Sequence, residues 1–346
     1  MNNIFGLTIK ELQAELAPFQ LPAYRARQIA EWMYRKGARS FEDMTNLPKK
    51  LRSDLASSFV IGRPREKDRL DSADGRTTKF LLEFADGTAV ETVLMRQPYG
   101  NSICVSTQAG CNMGCAFCAS TLHGMARNLS TGEILSQAIV IEDMLRAEQQ
   151  GKVDTVVIMG SGEPLMNYEH VLAFIRLLHE PYVLGMGYRN ITLSTSGIVP
   201  NMYRLAEEGL PISLSVSLHA PNDVLRSRLM PINRKYPMKD VVQAACHYAE
   251  VTKRRVTYEY ILIDQLNDGE AQARELVALL RGQLASVNLI PINPVVERQL
   301  MRPAAGRIRW FEQYLQEHHI NVTVRREMGT DIQAACGQLR NKHIKD

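Results

Sequence analysis

Three of the six cysteines fall within eight positions, in Cys111-Asn112-Met113-Gly114-Cys115-Ala116-Phe117-Cys118. This C-x3-C-x2-C loop offers three thiolates from one tight turn. Zinc sites usually come as paired half-sites giving four ligands, and no second CxxC occurs in the chain. A dithiol redox motif needs two cysteines and leaves the third unexplained. Ferredoxin-type clusters take four cysteines. Three thiolates can instead hold three irons of a [4Fe–4S] cluster and leave the fourth iron open to a ligand. The spacing favours the cluster, with structural zinc as the alternative.

Further polar residues stand where buried strands should end. Met159-Gly160-Ser161-Gly162-Glu163-Pro164 places glycines, which let a ligand approach the backbone, beside a carboxylate able to hold an ammonium group. Ser194-Thr195-Ser196-Gly197, Ser217-Leu218-His219-Ala220 and Pro291-Ile292-Asn293-Pro294 add hydroxyls, an imidazole and an amide. Such a set suits ribose, carboxylate and adenine recognition. Taken alone, the glycine turn would be an ordinary strand-to-helix turn and His219 a structural histidine. Their shared place at strand ends argues for a site. Of the other cysteines, Cys246 sits in an apolar helical pattern and reads as a small core residue. Cys104 lies in a strand seven residues before the cluster loop, and Cys336 near the basic carboxyl end; by themselves both read as buried bystanders.

These residues need elements to position them. Apolar strand-like runs occur at 102–107, 153–159, 190–195, 211–218, 256–263 and 286–292. Helical patterns lie between them near 131–149, 168–179, 201–208, 238–252 and 270–282, with another at 304–318. Six alternating units predict a parallel sheet with right-handed crossovers. Eight units close a barrel, so an α/β fold with a partial, open (βα)6 TIM-like barrel is expected. Ligands of such folds sit at the carboxyl ends of the strands, where these motifs fall. Residues 8–58 read as short helices, and 80–84 and 89–95 flank Asp86-Gly87 as a hairpin. The expected division is a helical accessory domain at 1–60, a hairpin extension at 61–96, a core at 97–329 and a carboxyl-terminal segment at 330–346.

The chain has 346 residues, 45% hydrophobic and 23% charged, which excludes fibrous and disordered classes. No glycine-rich dinucleotide fingerprint and no Walker-type loop is present. No apolar stretch approaches membrane-spanning length, and the start lacks a signal-peptide pattern. With sparse cysteines, a cytoplasmic protein with no membrane association is expected. Net charge is only +4, but residues 1–60 carry nine Lys/Arg against six Asp/Glu, and residues 301–346 carry eight against five. Mildly basic ends suit a nucleic-acid binder and equally suit solvated helix faces.

At the cysteine loop the sequence resembles the radical S-adenosylmethionine (SAM) superfamily, including the aromatic Phe117 before the third cysteine. The resemblance sharpens along the whole chain. Tyr24-Arg25-Ala26-Arg27-Gln28, Ala119-Ser120-Thr121, Met159 to Pro164, Ser217 to Pro221, Arg226 to Asn233 and Ala335-Cys336-Gly337-Gln338-Leu339 together resemble the RlmN/Cfr family of RNA adenine methyltransferases. Cys118-Ala119-Ser120-Thr121 and Arg325-Arg326-Glu327 look more like the RlmN branch, which methylates adenine C2, than the Cfr branch, which methylates C8; C8 stays the alternative.

The resemblance implies cofactors and roles. A [4Fe–4S] cluster would be held by Cys111, Cys115 and Cys118, and SAM would be contacted by Gly162, Glu163, Ser194, Ser217, Leu218, His219 and Asn293. Cys336 would be methylated by one SAM. A radical from a second SAM would take hydrogen from that methyl group, and the resulting carbon would add to adenine C2. Glu91 would accept the C2 proton. Cys104 would then attack the Cys336 sulfur, forming a transient disulfide and releasing the RNA. The implied substrates are 23S rRNA, at the peptidyl transferase centre, and adenosine 37 of tRNA. An electron donor such as flavodoxin or ferredoxin and a monomeric state are also implied. Without the family, Glu91 would read as an ordinary strand-face carboxylate.

Overall fold

In a computed structural model of the chain, residues 1–339 are described. Residues 340–346, the end of the expected carboxyl-terminal segment, lie outside them. The chain opens with β1 (Asn2–Asn3), which pairs in parallel with β2 (Phe59–Val60) and closes the leader on itself. Between them run α1 (Ile9–Glu15), α2 (Tyr24–Tyr34) and α3 (Lys49–Ser58). A reciprocal capping box between Thr8 and Glu11 starts α1 by satisfying amides that have no partner within the helix. One stripe of α2 is buried, through Ala26, Ile29, Ala30, Met33 and Tyr34.

An antiparallel run follows: β3 (Arg65–Asp71), β4 (Thr77–Glu83) and β5 (Ala89–Gln97). The hairpin at Asp86-Gly87 joins β4 and β5 as its sequence predicts. Strand β3 had no such signal. Arg65-Glu66-Lys67-Asp68-Arg69-Leu70-Asp71 has no apolar face, and only Arg69 escapes full exposure. Its pairing with β4 holds it, helped by Arg65 and Lys67 on Glu83. Charge along such an edge discourages pairing with another chain.

The parallel part begins at β6 (Gly100–Cys104). A small ribbon, β7 (Gln108–Gly110) with β8 (Met125–Asn128), brackets the cysteine loop. Then come α4 (Thr131–Ala147), β9 (Val153–Ile158), α5 (Tyr168–His179), β10 (Ile191–Thr195), α6 (Val199–Glu207) and β11 (Ser213–Ser217). After these follow α7 (Asp223–Leu229), α8 (Met238–Thr252), β12 (Val256–Leu262), α9 (Glu270–Leu280), β13 (Ala285–Pro291), α10 (Ala305–Glu317) and β14 (Val322–Val324).

All six expected strands are present and parallel, as β6, β9, β10, β11, β12 and β13. They lie within a ten-stranded open sheet in the order β14-β13-β12-β11-β10-β9-β6-β5-β4-β3. The partial barrel is therefore extended at one edge by the hairpin strands and at the other by β14. Three residues are too short to show a period, so β14 left no pattern in the sequence. One apolar core runs from Ile4 in the leader to Leu315 in α10. The leader docks so closely on the start of α4 that a Cβ on Gly6 would come within 2.4 Å of Gly132 Cα.

Candidate active site

The cysteine loop is pinned from several directions. Cys111 N–H donates to Gly124 O at 3.0 Å, Ala116 N–H to Leu229 O at 2.9 Å, and Ala119 N–H to Gly337 O at 2.7 Å. Cys111, Cys115 and Cys118 all line one cavity of about 140 Å3 at the carboxyl ends of the parallel strands. Burial pushes the Cys111 thiol up to about 12, Cys115 well above its usual range and Cys118 upward. These thiols therefore stay protonated until a metal displaces the protons. Among the described residues, no three His, Cys, Asp or Glu side chains converge as ligands of one ion must. Three thiols on the wall of one cavity, with no fourth cysteine in the loop, fit a cluster that leaves one iron open to a ligand.

Strand ends supply the rest of this cavity, including Gly162, Glu163, Ser194, Ser217 and His219. Gly162 adopts φ +110°, and a Cβ there would come within 2.7 Å of Gln108 Cβ, so only glycine fits. Glu163 is buried and accepts from Ser196 N–H at 2.6 Å, Thr195 Oγ1 at 2.8 Å and Leu165 N–H at 3.0 Å. Burial pushes its carboxyl up against these hydrogen bonds. No ion pair reaches it among the described residues, which suits an arriving ammonium group. His219 accepts from Ile261 N–H through Nδ1 at 3.0 Å, so the neutral ring carries its proton on Nε2. Burial, with Arg226 nearby, drops its pKa to about 3 and keeps the imidazole neutral. Its ring meets Phe117 edge-to-face at 4.7 Å.

A second cavity of about 640 Å3 adjoins the first, and Cys118, Ser120, Met159, Gly160, Ile290, Cys336 and Gly337 line both. Cys104 and Asn293 line the larger one. Cys104 packs with Val93, Ala334 and Leu339, and its thiol is pushed up to about 12 by burial and by Cys336 beside it. The fold thus brings two cysteines from opposite ends of the core together, both free thiols. Leu218 differs from the other expected cofactor contacts, since its side chain lies in the main core and its N–H donates to Glu259 O. Glu91 lines neither cavity. It shares the face of β5 that carries Val93 and Met95, and it pairs with Lys79 Nζ at 2.9 Å.

Two charged residues of this site had no role in the expectations drawn from sequence, where Glu259 was not named and Arg325 stood only in a family motif. Glu259 lies in β12 between two tyrosines, accepts from Ser194 Oγ at 3.1 Å and faces Arg325 Nη1 at 3.7 Å. Arg325 follows β14, lines the larger cavity and lowers the Cys336 thiol against the upward push of burial. The signal for Glu259 was a carboxylate inside an otherwise apolar buried strand, which parallel sheets seldom hold without purpose. Arg226, seen only as part of a motif, is wholly buried, and its Nη2 donates to Ser196 O at 2.7 Å and to Ser217 O at 3.1 Å.

Comparison with known proteins agrees with this geometry. The radical SAM superfamily model matches residues 105–277, and the ribosomal RNA large subunit methyltransferase N-terminal domain matches residues 2–61. A probable dual-specificity RNA methyltransferase RlmN of Symbiobacterium thermophilum is 53% identical over 97% of this chain and 91% of its own. The chain belongs to the RlmN family. A relative of the same name from Desulforamulus reducens is 48% identical over 99% of this chain and 96% of its own. The crystal structure of a radical SAM methyltransferase from Sphaerobacter thermophilus superimposes with TM-score 0.95 at 46% identity, covering 99% of this chain and 100% of that one. As an RlmN-family enzyme, the chain is a SAM-dependent methyltransferase that uses a [4Fe–4S] cluster, and the three thiols with the uncompensated Glu163 carboxylate fit that pair of cofactors. No helix among the described residues is long and apolar enough to cross a membrane.

Proposed function

We propose that this RlmN-family enzyme methylates C2 of adenosine in 23S rRNA and at position 37 of tRNA, with Cys336 carrying the one-carbon unit. The observation that supports it is the position of Cys336, on the wall shared by the cofactor-sized and the larger cavity. A group carried on that thiol can be loaded from one side and delivered to the other. Adenine C2 is an electron-poor carbon and the SAM methyl is an electrophile, so simple polar transfer between them fails. Cluster and SAM together supply the methyl group, a hydrogen-abstracting carbon radical and the single-electron exchange of the cycle.

The remaining work falls to this chain. Cys336 displaces the methyl group from its donor as a thiolate, which the neighbouring Arg325 cation favours. After one hydrogen atom is lost, the thiol-borne carbon bonds to C2, joining enzyme and RNA. Glu91 accepts the C2 proton, and the one excess electron of the adduct would return to the bound cluster. Cys104 attacks the Cys336 sulfur; the S–S bond forms as the S–C bond breaks, and its electron pair leaves with the carbon, which takes a proton to become methyl. Gly162, Glu163, Ser194, Ser217 and His219 hold SAM in this reading, while the basic leader meets RNA phosphates. The enzyme acts in the cytoplasm as a monomer, with flavodoxin or ferredoxin as electron donor.

Anaerobic turnover with SAM and transcripts of both RNA types tests this, followed by nucleoside mass spectrometry against 2-methyl- and 8-methyladenosine standards. The expected product is 2-methyladenosine in both RNAs. Exclusive 8-methyladenosine would overturn the C2 assignment, and methylation of one RNA alone would remove the other substrate.

A further inference from the structure

Lys79 stands at a junction to which the reaction just described assigns no task. It lies on β4, and its Nζ sits 2.9 Å from Glu91 Oε1 on the neighbouring β5. The register places Lys79 opposite Val93 and Leu81 opposite Glu91, so the ion pair is a diagonal one across the two strands. The same ammonium donates to the carbonyl of Gln333 at 3.3 Å. Both charged side chains are only 11% exposed. Desolvating two charges is costly unless the geometry is held, which separates this pair from a surface ion pair.

Gln333 lies three residues before Cys336 and adopts a left-handed φ of +52°. A residue with a side chain keeps such a conformation when its surroundings hold it there. The Cys336 segment is anchored on its far side by Ala119 N–H on Gly337 O, by Ser120 Oγ on Leu339 O and by Asn293 Nδ2 on Cys336 O. On the hairpin side the anchors are Ala73 N–H on Asp331 Oδ2 at 2.9 Å and Lys79 on Gln333 O. One side chain therefore touches both the carboxylate of Glu91 and the strap that bears the Cys336 thiol.

We propose that Lys79 is a positioning residue that holds the Glu91 carboxylate and the Cys336 segment in one frame, so that the carboxylate meets the C2 proton of the covalent RNA adduct. This rests on the proposed function, with Glu91 as proton acceptor. In that step the C2 proton passes to a Glu91 oxygen, and the C–H electron pair stays in the adenine ring. Lys79 transfers no proton. Its ammonium fixes two acceptors that belong to separate parts of the chain.

The test compares Lys79→Met, Lys79→Arg and Glu91→Gln enzymes carrying their clusters, given SAM and RNA. It reads S-methylation of Cys336, covalent protein–RNA adduct and methylated nucleoside. Amide hydrogen exchange across residues 329–337 is read on the same proteins without RNA. Lys79→Met should keep S-methylation, lengthen the adduct lifetime at least tenfold and speed exchange in that segment. Lys79→Arg, which keeps the charge, should return both toward wild type. An unchanged adduct lifetime in Lys79→Met overturns the inference. So does S-methylation falling in step with product, since that assigns Lys79 to general stability. If Glu91→Gln traps the adduct and Lys79→Met does not, this inference alone fails. If Glu91→Gln turns over at the wild-type rate, the role of Glu91 fails and takes this one with it.

Discussion

Asn293 Nδ2 donates to the carbonyl of Cys336 at 3.1 Å, which ties the end of β13 to the segment carrying the thiol shared by both cavities. Its Oδ1 is buried without a partner among the described residues, leaving an acceptor at the larger cavity. The segment is thus fastened through its backbone at the point where Cys336 lines both compartments.

Replacing any one of Cys111, Cys115 or Cys118 with Ala should abolish cluster content and SAM cleavage. Iron and sulfide analysis with a 5′-deoxyadenosine assay measures both. Full iron content together with continued 5′-deoxyadenosine production in Cys115→Ala would show that the loop holds something else.

The two remaining thiols should separate by step. Cys336→Ala should retain its cluster, acquire no S-methyl group and modify no RNA. Cys104→Ala should still methylate Cys336 and then stall as a protein–RNA crosslink visible on a denaturing gel. Normal turnover of Cys104→Ala without trapped RNA rules out its resolving role.

Glu163→Gln removes the buried charge proposed to meet the SAM ammonium while keeping the shape. A hydrogen bond to a charged group contributes roughly 1.5–3 kcal/mol, so SAM should bind about ten- to a hundredfold more weakly. Equilibrium dialysis with labelled SAM on cluster-loaded protein reads this, and unchanged affinity argues against the contact.

His219 gives a pH signature. Its folded pKa is lowered to about 3, below the ordinary 6.5. Between those values an unfolded chain binds a proton there and the folded chain does not. Stability conferred by neutral His219 is therefore present above about pH 6.5 and lost as pH falls toward 3, by up to ~1.4 kcal/mol per pH unit. Urea titrations from pH 7 to 4.5 should show the wild type losing stability faster than His219→Asn. Parallel slopes would place the ring in contact with solvent.

Of the basic leader residues, Arg27 pairs with Glu31 and Arg52 with Glu42. Lys49 and Lys50 are exposed in the first turn of α3, where cations oppose the helix dipole. That placement disfavours the helix and suits phosphate contacts. Double replacement by Ala should leave stability unchanged or slightly higher and reduce the salt slope of RNA affinity by about 1.5. An unchanged slope would move the RNA contacts elsewhere.

The six parallel strands, the cysteine loop and the glycine turn at Gly162 were readable from residue order. Apolar runs of strand length and helical periods are local, and so is the spacing of Cys111, Cys115 and Cys118. Strand β3 and strand β14 were not readable, because a charged edge and a three-residue strand carry no burial pattern until a neighbour pairs with them. The same limit governs the site. Cys104 and Cys336 read alone as bystanders; the family resemblance named them, but only the folded barrel sets both on one cavity wall. Lys79 and Glu91 meet across the hairpin that the sequence already marked, but Glu259 with Arg325, and Lys79 with the Gln333 carbonyl, join residues far apart in the chain through charge. Long-range pairing of that kind depends on which strands become neighbours and on how deeply they are buried, so tertiary structure alone decided it.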